Sequence, residues 1–194
     1  MRPALHAEWT KIRTVAAPWW LLLAALAVIT AGRLTGHSLT GAALSQAPLA
    51  ILAVRTITDE YRAGLILTTF TATPRRGRVL AAKATVVAGL VAATGALGVF
   101  PAAPHLTLTA LLGLGIAAVV RDPATSIGLL LALLHLIPLL AQAIADPYWH
   151  QLLLSTTPGL GLNPDTPWGG LGTTAAWTAA ALGVATATLH RRDG

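Results

Sequence analysis

The chain has 194 residues, of which 55% are apolar and only 10% charged, with a mean hydropathy of +0.68. Soluble domains usually carry about 25% charged residues, and a soluble fold of this composition would expose large apolar patches. The net charge of +6 reads as the Lys and Arg excess of cytoplasmic loops rather than as a nucleic-acid footprint, and the absence of Cys excludes disulfides, thiol nucleophiles and cysteine metal sites.

The first twenty residues, "MRPALHAEWTKIRTVAAPWW", are basic and amphipathic, and they lead into the apolar "LLLAALAVITAG". No small-residue cleavage site follows that run, so it reads as a first span over 18–32, anchored at the interface by Trp19 and Trp20. A second span over 39–57 contains Gln46, Pro48 and Arg55; a third, over 79–100, is rich in Ala, Gly and Val. The link "PAAPH" permits only a tight turn, so a fourth span over 106–120 returns antiparallel and is short. Pro123 is placed to start the fifth span, over 126–145, and the sixth covers 171–189.

Charge sets the topology. With the N-terminus inside, Arg2, Lys11, Arg13, Arg55, Arg62, Arg75, Arg76, Arg78, Lys83, Arg121, Arg191 and Arg192 are all cytoplasmic, leaving Arg33 alone outside. The expected fold is therefore all-α: one transmembrane domain over 1–194 with six helices and both termini in the cytoplasm.

Little in the sequence supports catalysis. All seven acids fall near or beyond span ends, the six His are scattered, and HExxH, GxSxG and metal-ligand spacings are missing. There is also no GxxxxGK[ST] loop to cradle ATP. Among polar residues within spans, His135 and Gln142 share a helix face two turns apart, and Gln46 lies near the expected kink at Pro48. They either line a translocation path or tie helices together by hydrogen bonds. Arg55 reads as a side chain reaching the cytoplasmic surface.

Residues 58–78 concentrate the charge. Asp59 and Glu60 stand where a short helix would begin, Pro74 where it would stop, and Arg75 and Arg76 just beyond. A helix along the inner membrane surface suits the lightly charged run between them. It is either a docking ridge for a cytoplasmic partner or a connector whose arginines touch lipid headgroups.

At these residues the chain resembles the membrane subunits of type-2 ABC exporters, in particular the short actinobacterial kind. The resemblance rests on Glu60, Gly64, Pro74, Arg75, Arg76 and Lys83, and on "LHAEWTKIRT", which is similar to the family's "EWxKLRS/T" opening. More loosely it takes in "TPGLG…TPWGG" and the terminal "RRDG". It implies a six-span permease that pairs with a second permease, identical or paralogous, in the cell membrane. It also implies a separate ATPase subunit that binds ATP and Mg, with no cofactor held by this chain. Residues 1–17 would lie on the inner surface, 58–78 would be the coupling element with Glu60, Tyr61, Gly64 and Arg75 against the ATPase, and 146–170 a partly re-entrant external segment. Gln46, His135 and Gln142 are the candidates for the path of a hydrophobic or amphipathic substrate. The competing class is a membrane scaffold or immunity protein that acts by binding alone.

Overall fold

The computed structural model describes residues 2–62, 76–158 and 170–191, and among them every regular element is helical. The N-terminal helix α1 (Arg2–Thr14) is separated by the extended Val15 from α2 (Ala16–Leu34). Next come α3 (Ser38–Arg62) and α4 (Arg76–Gly98). A single 3-10 turn, Phe100–Ala102, feeds α5 (Ala103–Val120). The helix α6 (Pro123–Leu131) passes through a π turn, Ala132–Leu136, into α7 (Ile137–Gln142). The chain then forms α8 (Pro147–Thr156) and α9 (Leu171–Arg191).

Four stretches are long and apolar enough to cross a membrane: Ala16–Leu34, Gly77–Gly98, Phe100–Val120 and Pro123–Gln142. They correspond to the first, third, fourth and fifth expected spans. The fourth is not short: "PAAPH" is absorbed into the 3-10 turn and the start of α5, giving 21 residues in all. Helices also cover the second and sixth expected spans. At 25 and 21 residues they exceed the roughly 20 residues a 30 Å core requires, but their polar content leaves them outside the apolar set.

The bundle is organised around α5, which packs against α3, α4, α6 and α9 and is apolar on every side, as a helix enclosed by others should be. One cluster of buried side chains, including Ile29, Leu49, Val91 and Leu106, joins α2 through α5. A second, including Val54, Leu80, Leu114, Leu130 and Leu189, joins α3, α4, α5, α6 and α9. Small residues let backbones approach: a Cβ added at Gly32 would lie 2.7 Å from Gly41 Cα, and one at Gly115 would lie 2.9 Å from Ala181 Cβ. The spacing of Gly113 and Gly115 thus serves two different neighbours in one bundle, with Leu130 facing the first and Ala181 the second.

Helix ends are satisfied by identifiable groups. Asp122 Oδ2 accepts a 2.7 Å bond from Thr125 N–H and caps α6, where Pro123 occupies the first turn as expected. Arg33 Nη1 donates to Gly98 O at 2.6 Å, covering a terminal carbonyl of α4 at the end of the bundle opposite α1. The π turn has a local cause. Pro138 has no N–H to give Leu134 O and its ring would press on that carbonyl, so the helix widens in the preceding turn.

One boundary differs from the sequence reading. Asp59 and Glu60 do not open a new helix; α3 continues through both to Arg62. Acids in a last turn oppose the helix dipole, and here cations offset them: Arg55 Nε donates to Asp59 at 3.2 Å, and lysines from two other helices reach Glu60. Arg76, expected just beyond a surface helix, and Arg78, the last residue of the expected coupling segment, belong to the first turn of α4. Residues 63–75, with Gly64, Pro74 and Arg75, lie outside the described residues, as do 159–169 of the expected external segment.

Candidate functional site

Two polar regions stand out in this apolar bundle, one at its α1 end and one further along it, toward the Arg33 end. The first is an ionic junction. Lys83, in the second turn of α4, is only 3% exposed. Its Nζ donates to Glu8 Oε2 of α1 at 2.6 Å, to Glu60 Oε1 of α3 at 2.6 Å, and to Thr56 O at 3.1 Å. All three ammonium donors are thereby used. Lys11, one turn after Glu8, donates to Glu8 Oε1 at 2.9 Å and to Glu60 Oε1 at 2.8 Å.

Two acids and two lysines therefore alternate in a closed set that pins α1 onto α3 and α4. Ile12 and Leu52 beside it are buried, so the Lys83 pairs with Glu8 and Glu60 sit in a medium where ionic attraction is strong and an unpaired charge is costly, while Lys11 is half exposed. Burial pulls the Lys11 ammonium down, but its hydrogen bonds to Glu60 and Glu8 outweigh that and hold it above its ordinary value. The spacing of "AEWTK" puts Glu8 and Lys11 on one face of α1; their partners 49 and 75 residues away carry no such local signal.

Tyr61 is half-buried at the same end, with the Arg121 guanidinium 5.1 Å from its ring centroid. That cation–π contact ties the start of the α6 hairpin to the last turn of α3. Glu60, expected at a partner surface, instead points inward, its side chain 10% exposed. Both residues form the root from which residues 63–75 depart.

The second region contains no acid, lysine or arginine. Gln46 Nε2, His105 Nε2, Thr109 Oγ1 and His135 Nδ1 are buried atoms without a hydrogen-bond partner. Contacts around Gly113 fix their level: a Cβ there would meet Leu130 of α6 at 2.7 Å, and Ala50 O and Val54 of α3 at 3.7 Å. Because α3 and α5 run parallel and α6 antiparallel, one turn or two toward the Arg33 end brings Gln46 and His135 level with the turn from His105 to Thr109. From α9, Thr178 Oγ1 donates to Leu108 O at 3.0 Å on the same turn. The belt lies in the first half of the Phe100–Val120 stretch, and His135 sits in the π turn.

Gln46 and His135 thus share a level, whereas Gln142 is exposed near the end of α7 and does not join them. Sequence reasoning missed His105 and Thr109; their i, i+4 spacing on an otherwise apolar helix was the available signal. Each unpartnered group costs roughly 1–3 kcal/mol when buried, so four on one level are a persistent demand for hydrogen bonds. Among the described residues no group of three His, Asp or Glu is placed to hold a metal ion.

No protein-family model, no curated protein and no solved structure matches the chain.

Proposed function

We propose that this chain is the membrane-spanning subunit of an ATP-driven ABC exporter, crossing the cell membrane six times with both termini in the cytoplasm. The observation that carries the reading is the ionic junction. The two motifs behind the resemblance, Glu8 and Lys11 in one and Glu60 and Lys83 in the other, are far apart in sequence and bonded to each other in the fold. A merely compositional likeness would give no reason for them to meet.

In this reading residues 63–75 are the coupling element, and the partner ATPase that binds ATP and Mg seats against Tyr61, Gly64 and Arg75. Glu60 holds the root of that element and does not touch the partner. Closure of the ATPase pair displaces the element; the junction carries the displacement to α1, α3 and α4 together because none can shift without breaking a buried ion pair. The bundle and that of a second permease then rock between inward- and outward-open states. A hydrophobic or amphipathic substrate meets the polar belt of Gln46, His105, Thr109 and His135, whose unpartnered groups hydrogen-bond its polar part.

Co-purification tests the proposal. The chain should bring down an ATPase with a Walker motif and raise its ATP turnover, and Gly64→Trp should abolish the stimulation without lowering membrane insertion. A chain that inserts and folds with no ATPase companion, or a Gly64→Trp variant with undiminished stimulation, favours a scaffold that acts by binding alone.

A further inference from the structure

The stretch Pro123–Gln142 is anchored in the bundle along only part of its length. Up to the π turn it is held firmly. Its first helix, α6, packs on α3 and α5, Ser126 and Leu130 are buried, and Leu134 within the turn is its last side chain in a core cluster. Packing there is tight: a Cβ added at Gly113 of α5 would lie 2.7 Å from Leu130. Beyond the turn the surroundings change. The substantial packing of α7 is on the π turn and on α8, not on α3, α5 or α9. Leu139 and Leu140 are 61% and 57% exposed, and Ala141 is the one buried residue of α7.

The helix α8 shares this position. None of its residues is buried, and hydrogen bonds tie it to its neighbours. His150 Nδ1 lies 3.0 Å from Ala141 O of α7. At the other end two donors of α9 reach α8 carbonyls, Trp177 Nε1 to Thr156 O at 2.8 Å and Thr173 Oγ1 to Ser155 O at 3.3 Å. The backbone is also weakest where the packing stops. Ile137 N–H reaches back five residues to Ala132 O, and Pro138 has no N–H to add to the ladder. A widened turn next to a proline is where a helix bends most easily.

We propose that α7 and α8 form an arm that pivots on the π turn Ala132–Leu136 while α6 stays fixed in the bundle. A change of about 20° at the pivot moves the far end of α7, about 9 Å away, by about 3 Å and carries α8 with it. The hydrogen bonds from Trp177 and Thr173 limit that travel and link the arm to α9. His135 lies within the pivot, and its Nδ1 is buried without a partner. A bend there changes what this atom faces, while Gln46, His105 and Thr109 keep their places on α3 and α5. The arm is thus a device that alters one member of the belt and leaves the other three alone. It rests on the packing and backbone of one stretch of chain, not on the exporter reading.

The chain has no Cys, so introduced pairs can be spin-labelled without background and their separations read by double electron–electron resonance on the purified full chain in lipid nanodiscs. Leu44 on α3, Leu129 on α6 and Gln151 on α8 are exposed and suit labelling. The pair Leu44→Cys and Leu129→Cys reports the anchored part and should give one narrow distance distribution. The pair Leu44→Cys and Gln151→Cys reports the arm and should give a distribution roughly twice as wide, or one with two maxima. Pro138→Ala restores the missing donor and should narrow the arm distribution. Trp177→Phe removes a tie to α9 and should widen it. Neither change should alter the anchored pair. An arm distribution as narrow as the anchored one, one that neither variant alters, or equal broadening of both pairs would overturn the proposal. None of these outcomes depends on an ATPase partner, so the pivot and the exporter reading stand or fall separately.

Discussion

The ionic junction and the polar belt both bury polar groups in an apolar bundle, and they handle the cost in opposite ways. At the junction four charges from three helices pair with one another, and only Glu60 Oε2 is left over. In the belt four polar groups on α3, α5 and the π turn after α6 are left without partners. A set of ions that satisfies itself fixes helices in place; a level of unmet hydrogen-bonding groups is a place for something else to bind. The comparison separates a part held rigid by its own ion pairs from a part whose polar groups are left unpaired.

The largest expected effect comes from breaking the junction. Lys83→Met leaves Glu8 and Glu60 buried against a lone Lys11, and should destabilise the chain by about 3–5 kcal/mol in denaturant unfolding. A loss below about 1 kcal/mol would mean that water reaches the site and the pairs are not buried.

The belt should respond with the opposite sign. Gln46→Leu and Thr109→Val remove unpartnered groups at nearly constant volume, so each should leave stability unchanged or raise it by about 1–2 kcal/mol, while transport, on the proposed exporter reading, should fall severalfold. Loss of stability in both variants would show that the belt only ties helices together.

The smallest effect is at Lys11, whose side chain is 47% exposed. Its pKa is raised in the folded chain, so the stability it adds is fully present below the unfolded value of about 10.4 and is lost as pH rises through the higher folded value. The unfolding midpoint should be flat in this respect from neutral pH to about 10 and fall above that. The fall should be weaker in Lys11→Met, which itself costs about 1 kcal/mol or less.

How much of this was legible beforehand depended on whether the cause was local. Apolar runs located the helices, because hydropathy and length act residue by residue. Pro123 marked the start of α6, since it acts within the first turn. The continuation of α3 through Asp59 and Glu60 was not legible: local dipole arguments favour a new helix there, and the lysines that overrule them come from α1 and α4. The π turn follows from Pro138, yet the sequence does not say which turn widens. His135 and Gln46 were recognisable as polar residues in apolar runs. Their company with His105 and Thr109 depends on register between helices, which no single segment encodes.

The measurement that bears most directly on the central claim, that the two separated motifs form one buried ionic unit, is a double-mutant cycle between Glu8 and Lys83. Unfolding free energies of Glu8→Gln, Lys83→Met and the double variant should be strongly non-additive, with the double variant losing about 1–3 kcal/mol less than the two single losses combined. Additive losses would contradict the account, because they would mean that Glu8 and Lys83 act independently and that α1 is not held to α4 by this pair.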